Sequence, residues 1–306
     1  MVERKLNRGV CINEVTESSG PINEQGLAWL LDAAARVAPG AAPAFLGPVR
    51  TALGAQSARL FVADYSVRRL QQVDQYGAVA VPYEMSGTIA GRAFATGDTI
   101  ISAGHPTVVS IPLADGAERM GLLELDYESW NGQLPFGWER VVALLVLVLV
   151  TKSRYGDLWA RARRSLALTG AAEIQWELLP PLSCSTDDVG VAGILEPAYE
   201  IGGDSFDYAV NGSRVDFTIV DAIGRGMSAV LMSTAAINSL RNSRRSGLDI
   251  ENAYLRAGEL IKTHFGHSYF VTGQFGSLDT VTGVLTWVNA GHVLPMLVRD
   301  GSYVGE

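Results

Sequence analysis

The sequence predicts an α+β chain with two folded parts joined by a helical connector. Its 306 residues suffice for about two domains. With 48% hydrophobic and 18% charged residues, the composition suits packed cores and not a disordered chain. The order of patterns is the third reason. Helical segments lead into strand signals around one short helix, then comes a long helical stretch, then hairpins and two more helices.

Residues 1–20 are mixed and polar and read as a tail. Over 25–37, A-W-L-L-D-A-A-A-R-V has helical spacing, with Pro39 and Pro43 around its end. A short helix follows over 48–53 and ends near Gly54. Residues 58–64 and 68–73 read as a hairpin. A helix over 87–96 is ended by Gly97, and strands over 108–113 and 121–126 flank a turn at Asp115-Gly116. Residues 21–137 thus describe one central antiparallel sheet with helices. They resemble a GAF domain, on A-R-L-F-V-A-D, G-R-A-F-A-T-G-D, and V-S-I-P-L followed by G-L-L-E-L. The resemblance implies a small-ligand sensor or a dimerisation module. No cysteine lies in 55–130, so a bilin attached there is not expected, and His105 between Gly104 and Pro106 reads as a loop residue, not a haem ligand.

Residues 138–180 read as the connector. Val141, Leu145, Val148, Lys152, Tyr155, Trp159, Ala162 and Leu166 recur at 4-3 spacing, the seam of a coiled coil with one charged position. A homodimer through that seam is the expectation, and packing of the stripe on the chain's own sheet is the alternative. Gly156 and Gly170 are weak points in the helix, Arg161, Arg163 and Arg164 read as a solvated face, and Pro180-Pro181 stops it.

Residues 181–306 form the second folded part. A polar loop over 183–190 leads to a strand over 193–199. Next comes Y-E-I-G-G-D-S-F-D-Y, a turn at Asn211-Gly212, and V-D-F-T-I-V-D-A-I-G-R-G. Asp204 and Asp207 lie on one side of this hairpin, and Asp221 ends the other beside a turn freed by Gly224 and Gly226. Carboxylates at a strand end, facing a turn with accessible carbonyls, suit a hard cation such as Mg²⁺ or Mn²⁺. Helices over 227–245 and 250–265 and strands over 270–279 and 284–289 complete the pattern, with a last hairpin around Asp300-Gly301. His264 and His267, three apart at a helix end, have no partner cluster and read as helix-terminal residues.

G-G-D-S-F-D followed by D-A-I-G-R-G resembles the acidic motifs of the PPM metal-dependent serine/threonine phosphatases, in their SpoIIE-like or RsbU-like branch. Leu178-Leu179-Pro180, Phe270-Val271-Thr272 and Asn289-Ala290-Gly291-His292 follow the same order, so the resemblance covers roughly 173–306. It implies a layered α-β-β-α sandwich, of which this chain would hold the N-terminal part. It also implies two divalent ions, Mn²⁺ or Mg²⁺, bridged by Asp221 and bound by the backbone carbonyl of Ala222. Asp204 would act on their water or complete their shell. Asp207 would orient backbone or water. Gly202, Gly203, Gly224 and Gly226 would allow close backbone approach, and His292 would support a turn near the site. Two further acids of the family, one in a T-D-G motif, have no counterpart after His292.

The implied activity is hydrolysis of phosphoserine or phosphothreonine on a protein, without a protein nucleophile. The implied substrate is a phosphorylated anti-sigma-factor antagonist in bacterial transcriptional control. The alternative is a non-catalytic regulatory or ligand-sensing module on a degenerate phosphatase fold. A net charge of −8 argues against a nucleic-acid partner. Cys11 and Cys184, outside any C-x-x-C motif, read as free thiols of a reducing cytoplasm. The start lacks a signal-peptide core, and the longest apolar run, 141–150, covers about half a bilayer. No membrane contact and a cytoplasmic location are therefore expected.

Overall fold

The computed structural model describes residues 24–38, 40–74, 82–196, 198–199 and 202–305. The expected tail and Cys11 lie outside the described residues. The chain divides into two compact units, Met1–Leu166 and Ala167–Glu306.

The first unit opens with α1 (Glu24–Arg36), a 3₁₀ turn at Ala42–Phe45 and α2 (Leu46–Ala52). Strands β1 (Ser57–Ala63), β2 (Arg69–Val73) and β3 (Tyr83–Glu84) lead to α3 (Ile89–Thr96). Next come β4 (Ile100–Ser102), β5 (Thr107–Asp115), β6 (Glu118–Tyr127), α4 (Trp138–Lys152) and α5 (Leu158–Ala162). The strands form one six-stranded sheet in the order β3-β2-β1-β6-β5-β4, and every pairing is antiparallel. Alternation along the strands divides the core into two. On one face Leu60, Val62, Ile111, Leu123 and Leu125 pack with Leu30, Val49, Leu145 and Leu149 of the long helices. On the other, Phe61, Leu70 and Leu122 pack under Ala93 and Phe94 of α3. The Thr88 hydroxyl caps α3 by accepting the Gly91 N–H, and Gly97, at φ 77°, ends it in the left-handed region.

The single helix expected over 138–179 does not form. α4 stops at Lys152 and the chain tightens into a 3₁₀ turn at Ser153–Tyr155. Gly156 is extended, α5 is brief, and helix resumes only at Gly170. The coiled-coil-like connector is corrected accordingly. Val141, Leu145, Val148 and Ala162 are buried in the first unit's own core and Trp159 packs against it, whereas Tyr155 is 69% and Leu166 60% exposed. All of the stripe's apolar members except Tyr155 and Leu166 are covered by its own sheet and helices, which is the alternative stated above. A dimer through that seam would have to uncover Val141, Leu145 and Val148. No helix among the described residues is long and apolar enough to cross a membrane.

The second unit comprises α6 (Gly170–Leu178), β7 (Ser183–Ser185), β8 (Gly190–Ala192), β9 (Gly202–Asn211) and β10 (Arg214–Arg225). It continues through α7 (Met227–Arg245), α8 (Ile250–Phe265), β11 (Val271–Asp279), β12 (Leu285–Ala290), β13 (Leu297–Arg299) and β14 (Ser302–Gly305). Four strands make an antiparallel sheet in the order β12-β11-β10-β9. α7 and α8 cover one face, where Val220 and Phe275 meet Ile237, Leu240, Ala253 and Ala257, and Ala222 meets Ala229, Met232 and Ile261. A helix layer and one sheet layer of the expected sandwich are thus present. The polar stretch expected to be a loop pairs as the β7–β8 hairpin. Residues 193–196, expected to be strand, are not. Instead Gly193 lies on the Phe206 ring so closely that a Cβ would come within 2.4 Å of it. The β9–β10 turn falls one position later than expected, at Gly212-Ser213, because Asn211 pairs with Arg214.

Candidate metal and catalytic site

Strand register builds the site. Asp204 of β9 lies directly opposite Asp221 of β10, and Asp221 lies opposite Thr272 of β11. Cross-strand partners point to the same face. Val220 and Ala222 on either side of Asp221 turn toward α7 and α8. The row Asp204, Asp221, Thr272 therefore stands on the face the helices leave open.

Asp221 does not end its strand as the sequence suggests. It holds the last regular rung before a bulge. The next pair is Arg225 with Gly202, so Ala222, Ile223 and Gly224 stand opposite Gly203 alone. A bulge of this kind bends the strand and frees backbone groups from the ladder. The Ala222 carbonyl lies against Gly203, where a Cβ would come within 2.1 Å of its oxygen. Gly203 is thus required by contact. Gly224 and Gly226 are required by conformation, at φ 95° and 71°. Gly202 is not crowded in this way: a Cβ there would meet the Asp204 carboxyl at 3.7 Å and its backbone N at 4.0 Å, ordinary contacts.

A fourth group joins the row from the end of β12. The Thr272 hydroxyl is 3.0 Å from His292 Nδ1 and donates weakly, at 3.5 Å, to the Asp221 carbonyl. Asn289 clamps the His292 backbone, accepting its N–H at 2.8 Å and donating to its carbonyl at 3.0 Å. His292 thus sits in a turn beside the row, as expected of it. The Asp204 carboxyl is held above the ordinary carboxylate range. Loss of water to the surrounding protein is the largest cause, followed by the charge of Asp221 and a hydrogen bond to its carboxyl, with His292 pulling the other way. Asp204 and Asp221 are a like-charge pair that gains from an added cation.

Asp207, three residues on, is of a different kind. It is 4% exposed and bonds Arg241 at 2.7 Å and Arg244 at 3.2 Å. It ties β9 to α7, a structural role. His264 sits in the last turn of α8, as expected.

The donors present are two carboxylates and a carbonyl, all oxygen, which fits Mg²⁺ or Mn²⁺. Among the described residues no cluster of three or more His, Cys, Asp or Glu is arranged to hold a metal. Such an ion would take its remaining oxygens from water or substrate. Two contributors were not singled out from sequence. Thr272 lay in a quoted motif without a role. Gln175 lay in a stretch read as connector; its side-chain amide donates to the Asp204 carbonyl. The one available pointer was its position three residues before Leu178-Leu179-Pro180.

Residues 211–305 match the family model described as stage II sporulation protein E (SpoIIE). The matched segment contains Asp221 and His292 but begins after Asp204. The chain is similar to phosphoserine phosphatase RsbU of Bacillus subtilis (strain 168), at 20% identity over 122 residues. That alignment takes in 40% of this chain and 36% of the relative, so the chain spans just over a third of that protein's length. Among solved structures, the chain is similar to the GAF domain of an Acinetobacter phosphoenolpyruvate-protein phosphotransferase. The identity is 11% and the TM-score 0.36, with 43% of this chain and 95% of that one covered. The corresponding domain from Coxiella burnetii gives 15% identity and a TM-score of 0.35, with 46% and 96% covered. The family match and the relative support a SpoIIE-like unit of the PPM phosphatase type in the second half of the chain. The first unit has the single antiparallel sheet expected of a GAF-like domain.

Proposed function

We propose that the second unit is the acid-bearing part of a metal-dependent protein-serine/threonine phosphatase, with the GAF-like unit as its sensor. The observation that carries this reading is the register of Asp204 opposite Asp221, beside the bulge that sets the Ala222 carbonyl against Gly203. Asp221, Asp204 and the Ala222 carbonyl would hold Mn²⁺ or Mg²⁺. Bound divalent ions supply Lewis-acid activation of a phosphoryl group and of the water that attacks it. The chain's own part is to place the acids. The bulge fixes the carbonyl, the Thr272–His292 contact fixes the far side of the row, and Asp207 with its arginines fixes β9. No serine or cysteine of the row is called on as a nucleophile.

The substrate class is a phosphoserine or phosphothreonine protein. Similarity to a phosphoserine phosphatase supports that class; the motif resemblance to the RsbU-like branch implies a phosphorylated anti-sigma-factor antagonist in bacterial transcriptional control, with a small molecule bound by the GAF-like unit as the input. Release of inorganic phosphate from a phosphoserine peptide tests the activity. The expected result is Mn²⁺- or Mg²⁺-dependent release that disappears in Asp221→Asn while the circular dichroism spectrum is unchanged. Equal release with and without the cation, or full activity of Asp221→Asn, would overturn the assignment.

A further inference from the structure

We infer that Gln175 is a positioning residue for Asp204, so that the acid pair is set partly from α6, which precedes residues 211–305 that match the family model. The inference rests on the metal-site reading above, but its geometry is independent of it. β9 is the edge strand of its sheet, and edge carbonyls that face away from the ladder need a partner from elsewhere. The carbonyl of Asp204 finds one in the Gln175 side-chain amide. The bond is thus made to the residue whose carboxyl faces Asp221, not to a neighbour.

Gln175 is 0% exposed, and its Oε1 has no partner among the described residues. A buried amide with one end unsatisfied costs stability that a leucine of similar volume would not. Retaining glutamine there at that cost fits a task for its donor. The rest of α6 is anchored around the same strand. Trp176 Nε1 donates to the Ala198 carbonyl at 2.9 Å. Arg241 donates to the Leu178 carbonyl at 2.7 Å while also binding Asp207. β9 is therefore gripped at Asp204 by α6 and at Asp207 by α7. Asp221 faces Asp204 as its ladder partner on β10, at the last rung before the bulge. The separation of the two acids then depends on where α6 holds Asp204.

The test uses the full chain with Gln175→Leu, which removes the donor and keeps the bulk, and Trp176→Phe, which removes a neighbouring bond of the same helix. Two quantities are measured. One is the carboxyl ¹³C resonance of Asp204 and of Asp221 in metal-free protein at one fixed pH. The other is Mn²⁺ affinity, from the electron paramagnetic resonance of free Mn²⁺. Gln175→Leu should move both carboxyl resonances and weaken Mn²⁺ binding about tenfold, as loss of an outer partner of a metal ligand does. Trp176→Phe should do neither. Unmoved resonances in Gln175→Leu, or equal movement in Trp176→Phe, would show that Gln175 only fills the sheet edge. A wild-type chain that binds no Mn²⁺ would remove the metal reading, and the metal-free resonances would still decide the role of Gln175. If Gln175→Leu does not fold, Gln175→Glu keeps the shape, sets an acceptor against the Asp204 carbonyl and is read in the same way.

Discussion

Asp64 in the first unit and Asp204 in the second show two opposite fates for a carboxylate on a β-hairpin. Asp64 is fully buried, yet its acidity is strengthened. Burial acts against the charge most strongly, but the hydroxyls of Ser66 and Ser165 and the backbone N–H groups of Arg69 and Arg68 together outweigh it. Asp204 is exposed, yet its acidity is weakened, first by loss of water to the surrounding protein and then by the charge of Asp221, with no set of donors to offset them. Burial of the residue does not by itself decide whether a carboxyl is strengthened or weakened here. What does is whether the protein supplies enough donors to the carboxylate. Asp207 extends the comparison within a single motif: three residues from Asp204, it receives two arginines.

Removing the most heavily supplied acid should have the largest effect. Asp207→Ala leaves Arg241 and Arg244 facing a pocket with no counter-charge. Breaking a buried pair from one side costs roughly 3–5 kcal/mol. Urea unfolding followed at second-unit tryptophans should show that loss. A cost under about 1 kcal/mol would mean the arginines find other acceptors and that Asp207 is no anchor.

Asp64→Asn comes next, at about 1.5–3 kcal/mol, since hydrogen bonds to a charged group are lost or reversed. The pH dependence follows from the direction of its shift. A carboxyl more acidic in the folded state stabilises the fold above the unfolded value of about 3.8, and that contribution disappears as pH falls through the lower folded value. Acid unfolding of the first unit should therefore be shallower in Asp64→Asn than in the wild type. Identical acid limbs would show that Asp64 does not carry this term.

Much of the second unit was legible because its punctuation is local. α7 and α8 end where Gly247 and Gly266 take positive φ, and the last hairpin turns on Asp300-Gly301, both at positive φ. Those signals depend on one or two residues each. The connector was misread for the opposite reason. A 4-3 spacing states which residues share a face of a helix, not which surface covers that face. Val141 and Leu145 satisfy the spacing equally well inside their own domain. The acid pair was legible as residues but not as a pair, because the rung joining Asp204 to Asp221 depends on register across the hairpin. Gln175 was beyond reach for the same kind of reason, since nothing local marks which carbonyl a buried amide will meet.

Gly203→Ala should cost less than either acid variant in stability, about 1–3 kcal/mol for an overpacked methyl. Its Cβ would overlap the Ala222 carbonyl, so the bulge must shift. Mn²⁺ affinity measured alongside thermal unfolding separates the two effects. Affinity should fall by more than the stability change explains, whereas Gly202→Ala, with an open Cβ position, should leave it near the wild-type value. Equal affinities in the two variants would show that the bulge does not set the site.

The smallest effect on folding should come from Asp204 itself. Its folded carboxyl binds protons more readily than the unfolded one. Between the unfolded and folded values, the native state thus carries more protons. Stability is full below the ordinary carboxylate range and declines as pH rises through the raised value. Above that range both acids are charged and repel. Asp204→Asn removes the repulsion, so at neutral pH the metal-free variant should be no less stable than the wild type, and its stability should lose this downward slope with pH. Mn²⁺ reverses the comparison, because a cation that binds only the native state stabilises it by mass action. Thermal unfolding with and without Mn²⁺ at several pH values should show the wild type gaining and the variant not. A metal-free Asp204→Asn clearly less stable than the wild type at neutral pH would place Asp204 with Asp64 and Asp207, as an acid the fold relies on.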